Sequence, residues 1–168
     1  MTSQHPVSVQ EFPPMKIVGI SSDFISILAG PHANATQVIP ELWGRLMAML
    51  SAHQDLKLGW GIGAVGPAHS PRGIDGELNY FAGFVFDGDA PEGFESLQLS
   101  GGFHAVCEHA GNLATLPETT RWFFTEWLPK SGLNHREDFP LEIYDERYKG
   151  DTEDSIVLVT APVTGPLN

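Results

Sequence analysis

Residues 15–28 gather Ile, Val and Phe as a strand does, and residues 37–53 then change to apolar positions spaced three and four apart. Ile39, Leu42, Trp43, Leu46 and Leu50 form that second stripe, which predicts an amphipathic helix lying on a sheet. Two more strands are expected near 56–65 and 77–86, after which Asp87-Gly88-Asp89-Ala90-Pro91-Glu92-Gly93 breaks the pattern as a linker. The same grammar then returns: strand, helix, strand, strand at about 95–109, 116–128, 140–148 and 155–163. Each β-α-β-β unit is too small to cover its own sheet. The pair therefore predicts one pseudo-symmetric α+β domain over 13–168, with halves of about 13–88 and 95–163. Its expected form is a curved antiparallel sheet with both helices on the outer face. Residues 1–12 are read as a flexible N-terminal tail.

The second helix has the sharper signature. Leu116, Thr120, Phe123, Phe124 and Trp127 fall at i, i+4, i+7, i+8 and i+11, one stripe of a helix. Thr115 with Glu118 three residues later has the pattern of a capping box, and Pro117 sits in the first turn where its missing N–H is harmless. Pro129 and Gly132 are the expected stop. Both stripes read first as core packing, but Trp43 and Trp127 are large enough to pack and still present an edge to a ligand.

The short segment 141–148 carries the candidate chemistry. Side chains alternate along a strand, so Leu141 and Ile143 share one face while Glu142 and Tyr144 share the other. If the helices take the Leu/Ile face, Glu142 and Tyr144 lie on the face left open. A carboxylate beside a tyrosine, in a stretch rich in Phe and Trp, is what a site for an organic cation requires; a solvated strand face is the plain alternative. In the earlier segment, Tyr80, Ala82 and Phe84 share a face, and a tyrosine beside small residues leaves space for a ligand ring. Trp60 among Gly59, Gly61 and Gly63 could likewise meet a flat ligand or mark a bent strand.

Composition narrows the classes. The formal net charge of −12 over 168 residues lacks the basic footprint that a nucleic-acid partner demands, and the same field concentrates cationic small molecules. The single cysteine, Cys107, excludes an internal disulfide and reads as a small buried apolar residue. No apolar stretch nears the ~20 residues of a membrane span, and the first dozen residues lack the basic start and apolar run of a signal peptide. A cytoplasmic protein is expected. Gly61-x-Gly63-x-x-Gly66 fits a dinucleotide fingerprint in letters alone, because Pro67-Ala68-His69-Ser70-Pro71 follows where a helix must begin. The seven histidines show no metal-ligand spacing, and His104 and His109 would face opposite ways on one strand. No cofactor or metal is expected.

Several ordered segments resemble the GyrI-like small-molecule-binding family, also known as the AraC-type effector-binding domain, with a SOUL-like fold. They are Gly101-Gly102-Phe103 with His109-Ala110-Gly111, Trp127-Leu128-Pro129 with Ser131-Gly132, Pro140-Leu141-Glu142-Ile143-Tyr144, and Ala161-Pro162-Val163. Ile39-Pro40-Glu41-Leu42-Trp43 and Tyr80-Phe81-Ala82-Gly83 match more loosely, so the resemblance spans roughly residues 13–163. It implies a ligand cleft at the centre of the two halves, with Glu142 meeting the cationic part of a ligand and Tyr144, Tyr80, Trp43, Trp60, Trp127 and Phe84 around it. The implied partner is a lipophilic cationic or aromatic small molecule. Members of this family often carry a DNA-binding helix-turn-helix ahead of this domain; about a dozen residues precede the first expected strand here, so no such module is expected in this chain. Two other readings stay open. One is hydrolysis of a reactive electrophile, with Glu142 activating water and Tyr80, Tyr144 or Glu41 supplying a proton. The other is a protein-interaction module of the gyrase-inhibitor kind.

Overall fold

The computed structural model describes residues 5–165. The class is α+β, antiparallel in every strand pairing described below, with one helix to each β-α-β-β repeat. The described residues resolve into two compact units, 15–99 and 5–14 with 100–165.

In the 15–99 unit, β2 (Met15–Ile25) is flanked by β4 (Glu77–Val85) and β5 (Glu95–Leu99), and β3 (Gly61–Pro67) pairs with the other side of β4. Helix α1 (Ala35–Leu50) lies on one face, where Leu42 and Leu46 of the predicted stripe are buried with Ile20, Phe24, Tyr80 and Ala82. The second unit repeats the arrangement. Here β6 (Gly102–Ala110) is flanked by β8 (Ile156–Pro162) and β1 (Val7–Phe12), and β7 (Leu141–Tyr144) pairs with the other side of β8. Helix α2 (Leu116–Trp122) continues through a π-helical turn, Phe123–Trp127, and a last turn, Leu128–Lys130. Its Leu116 and Phe123 pack on Ala105, Cys107, Val157, Val159 and Ala161. Small residues on the strands leave depth for the helix's aromatic rings.

Three expectations need correction. Residues 7–12 are not tail: Val7 and Val9 alternate onto the core of the second unit, and β1 pairs with β6 from Val7 opposite Cys107 to Phe12 opposite Gly102. Residues 1–4 of the expected tail lie outside the described residues. The strand at 95–109 is two strands, because Gly101 and Gly102 adopt φ of 79° and 110° and turn the chain. A side chain at Gly101 would also collide with the backbone of Phe12 and Pro13. β5 therefore completes the 15–99 unit, and the boundary between repeats falls at residue 100 and not in the 87–93 linker. Finally, Thr115 does not cap α2. A 3₁₀ turn over Leu113–Thr115 precedes the helix, so the Thr115 hydroxyl donates back to the Asn112 carbonyl at 3.2 Å. The free Leu113 N–H is taken instead by Asp151 at 2.7 Å.

The two histidines of β6 do face opposite ways. His109 meets Thr119 of α2 at 2.7 Å through Nδ1, whereas His104 meets Thr160 of β8 at 2.9 Å. His104 is 2% exposed. Burial, then the nearby Arg136 guanidinium, lowers its pKa to about 4 from 6.5, with Asp138 opposing. The unfolded chain takes up this proton below pH 6.5 and the folded chain refuses it until about pH 4. Stability is therefore expected to fall by up to roughly 3 kcal/mol as pH drops through that window. Asp138 and Asp145 act lower. Burial pushes both up, but hydrogen bonds, from Ser100, Phe139 N–H and Arg136 to Asp138 and from Arg147 to Asp145, hold them below 3.8. Urea melts at pH 7, 5.5 and 4.5 should show the slope in the native protein and a flatter line in His104→Gln; equal slopes would assign the effect elsewhere.

Candidate functional site

Alternation along β7 is as expected, but what covers each face is not. Glu142 stands opposite Val159, which belongs to the core cluster under α2, and Tyr144 packs against the same cluster. Glu142 and Tyr144 thus share the face of the sheet that carries α2, and Leu141 and Ile143, both buried, occupy the opposite face. The strand is covered on both sides, fully at Leu141 and Ile143 and partly at Glu142 and Tyr144. Alternation states which residues share a face, and leaves open what lies over it.

On this face the Tyr144 hydroxyl donates to Glu142 Oε1 at 3.2 Å. Tyr148 meets Tyr144 edge to face, with ring centroids 4.9 Å apart. Above them α2 contributes Phe123, its ring stacked on Trp127 at 5.7 Å and edge-on to Phe124 at 5.1 Å. Phe124, Trp127, Tyr144 and Tyr148 are each half-buried against the one cluster, so aromatic surface and a carboxylate share one neighbourhood. The π turn matters for this arrangement. It spans Phe123–Trp127, the same residues that carry these three rings.

Tyr148 reaches the site through the β7–β8 loop and not as part of a strand to residue 148. β7 ends at Tyr144, and the next residue is Asp145, whose Oδ1 accepts the Arg147 N–H at 2.9 Å and whose Oδ2 accepts Arg147 Nη2 at 2.8 Å. The Tyr148 N–H then closes a turn on the Asp145 carbonyl at 2.9 Å. Burial, and secondarily Asp151, raises the pKa of the Tyr148 phenol. Tyr148 was absent from the sequence-derived candidates. The Asp-x-Arg-Tyr run directly after the strand is the signal that could have found it.

The remaining candidates fall in the 15–99 unit. Tyr80 is 0% exposed, and its hydroxyl oxygen accepts Trp43 Nε1–H at 3.0 Å. Trp43 also meets Phe84 edge-on at 5.8 Å. The space expected beside Tyr80 for a ligand is filled by Tyr80 itself, since a Cβ on Gly63 would overlap its hydroxyl. That is also why β3 carries glycine at position 63. The GxGxxG letters lie within this strand. Trp60 is 37% exposed just ahead of β3, and Glu41 is exposed on α1. Of the three candidate proton partners, Tyr144 is the one whose hydrogen bond to Glu142 is described.

A family model described as the GyrI-like small molecule binding domain matches residues 5–161. The chain belongs to the GyrI-like family. One relative is the transcriptional regulator BrlR of Pseudomonas aeruginosa, 29% identical over 117 residues that make up 67% of this chain and 41% of that protein. The chain thus spans less than half the length of that regulator. The fold is shared with SAV2435 bound to tetraphenylphosphonium, at a TM-score of 0.72 and 18% identity, covering 95% of this chain and 94% of that one. It is shared also with the C-terminal domain of EcmrR, at a TM-score of 0.65 and 12% identity, covering 96% and 98%. Among the described residues of this GyrI-like chain, no helix is long and apolar enough to cross a membrane.

Proposed function

We propose that this domain binds lipophilic aromatic cations, with Glu142 as the counter-charge and Tyr144, Tyr148, Trp127 and Phe124 as the aromatic surround. The observation that carries this reading is the Tyr144 hydroxyl bonded to Glu142 on a face crowded with half-buried rings. A carboxylate there is fixed in orientation by its phenol donor while apolar surface lies within reach. Each ring face offered to a cation is worth about 0.5–2 kcal/mol, and a partly desolvated counter-ion adds charge selectivity. Trp43, Tyr80 and Phe84 serve as core in this reading. The tetraphenylphosphonium complex of a protein with the same fold gives the reading its ligand class.

The test uses two probes of similar shape and different charge. Methyltriphenylphosphonium is expected to bind at least tenfold more tightly than neutral triphenylphosphine oxide in calorimetric titrations. Equal affinity, or no binding of either, overturns the cation reading. One observation favours a second reading. A phenol donating to a carboxylate is also a proton-transfer pair, so Glu142 with Tyr144 could activate water against a bound electrophile.

A further inference from the structure

We infer that the β7–β8 loop builds part of the ligand site: Tyr148 is a wall of it, and Asp145, through Arg147, is the residue that positions that wall. This inference rests on the proposed cation site and adds to it the device that positions one of its aromatic walls. The strand supplies only Glu142 and Tyr144, four residues long as it is. The next aromatic in the chain comes back to Tyr144 because three independent bonds close the loop around it. Asp145, with its side chain 6% exposed, holds the Arg147 backbone N–H and guanidinium together. The Ile156 N–H returns to the Arg147 carbonyl at 3.1 Å, and the Lys149 N–H is taken by Ser155 Oγ at 2.7 Å. Tyr148 lies between these anchors. Arg147 Nη1 also approaches Glu108 Oε1 of β6 at 3.9 Å, which steadies the guanidinium from the sheet side.

The chemistry of the wall follows from its group. Tyr148 is half-buried and meets Tyr144 edge to face, and a phenol whose pKa is raised stays neutral at physiological pH. Such a ring favours a cation over a neutral molecule of the same shape through its quadrupole. The loop thereby contributes to charge selectivity without contributing a charge. Asp145 and Arg147 neutralise one another and act by fixing geometry, not by meeting the ligand.

The experiment compares methyltriphenylphosphonium with triphenylphosphine oxide on the full chain and on Tyr148→Phe, Tyr148→Leu, Asp145→Asn and Glu142→Gln. Tyr148→Phe keeps the ring and should bind the cation within about twofold of the native protein. Tyr148→Leu should lose about 3- to 30-fold for the cation and less for the neutral probe, so the ratio between probes shrinks. Asp145→Asn, measured well below its melting temperature, should shrink the same ratio, whereas Asp145→Glu should restore part of it. A merely structural loop would lower the melting temperature and leave the ratio unchanged. If Tyr148→Leu keeps the native ratio while Glu142→Gln loses it, the wall is refuted and the cation site stands. If the native protein shows no preference for the cation, both fall together. Should Tyr148→Leu fail to fold, Tyr148→Met removes the ring face, keeps contact with Tyr144, and carries the same comparison.

Discussion

Glu142→Gln is expected to weaken methyltriphenylphosphonium binding by about 5- to 150-fold, the equivalent of roughly 1–3 kcal/mol for one hydrogen-bonded charge, while triphenylphosphine oxide binds as before. The substitution preserves volume and keeps an oxygen able to accept the Tyr144 hydroxyl, so the local geometry has reason to survive. What it removes is the charge. The same variant separates binding from chemistry. If the pair of Glu142 and Tyr144 transfers protons in a hydrolysis, binding of a neutral electrophile should persist and its turnover should drop by about 10²- to 10⁴-fold. Melting curves belong beside both measurements, because taking a carboxylate out of an aromatic neighbourhood can raise stability. A variant with native affinity and native turnover would make Glu142 an ordinary strand residue.

Phe123→Ala is expected to cost about 3–5 kcal/mol in urea denaturation, the range for emptying a buried aromatic site. Phe123 is 0% exposed and lies where α2 meets Ala105, Val157 and Val159. It is also the ring against which Trp127 stacks and Phe124 rests. The loss should therefore extend to ligand affinity, even at denaturant-free conditions where most molecules remain folded. Trp127→Leu offers the contrast: Trp127 is half-buried, so a smaller stability change with a comparable loss of cation affinity is expected. A Phe123→Ala protein within 1 kcal/mol of native would mean that the π turn collapses onto the vacancy.

The parts of the fold that were legible from sequence share a cause. Leu42 and Leu46, or Leu116 and Phe123, repeat with a helical period over several turns, and a period sustained that long has one physical explanation. Strand β1 has six residues, of which Val7, Val9 and Phe12 are apolar, and its partner β6 lies far along the chain. Such an edge strand is indistinguishable locally from a tail. The split between β5 and β6 was written in Gly101 and Gly102, but glycine signals a turn only where positive φ is required, and that requirement comes from the approach of Phe12 and Pro13.

The site was legible in its residues and not in its surroundings. Glu142 and Tyr144 were identified as a same-face pair, and they are hydrogen-bonded to each other. Their covering was misjudged because hydrophobicity assigns the helix to the Leu141/Ile143 face, whereas both faces of β7 are covered and α2 lies over the one with Glu142 and Tyr144. Tyr80 presents the reverse case. The small residues beside it suggest room for a ligand, yet its ring is fully buried and its hydroxyl fills the space over Gly63 of the neighbouring strand. Tyr148 depends on a turn held by Asp145 and Arg147, a tertiary closure with no periodic trace.

The placement of β1 has a consequence for folding. Residues 15–99 form one unit from a continuous stretch, whereas the other unit joins β1, which precedes that stretch, to β6, β7 and β8, which follow it. Val7 finds Cys107 only after the whole intervening unit has left the ribosome. Until then β1 is an unpaired strand with free N–H and C=O groups, open to association with other chains. Closing the unit that carries Glu142 thus requires a contact across the whole 15–99 stretch, a long-range pairing that forms more slowly than local ones.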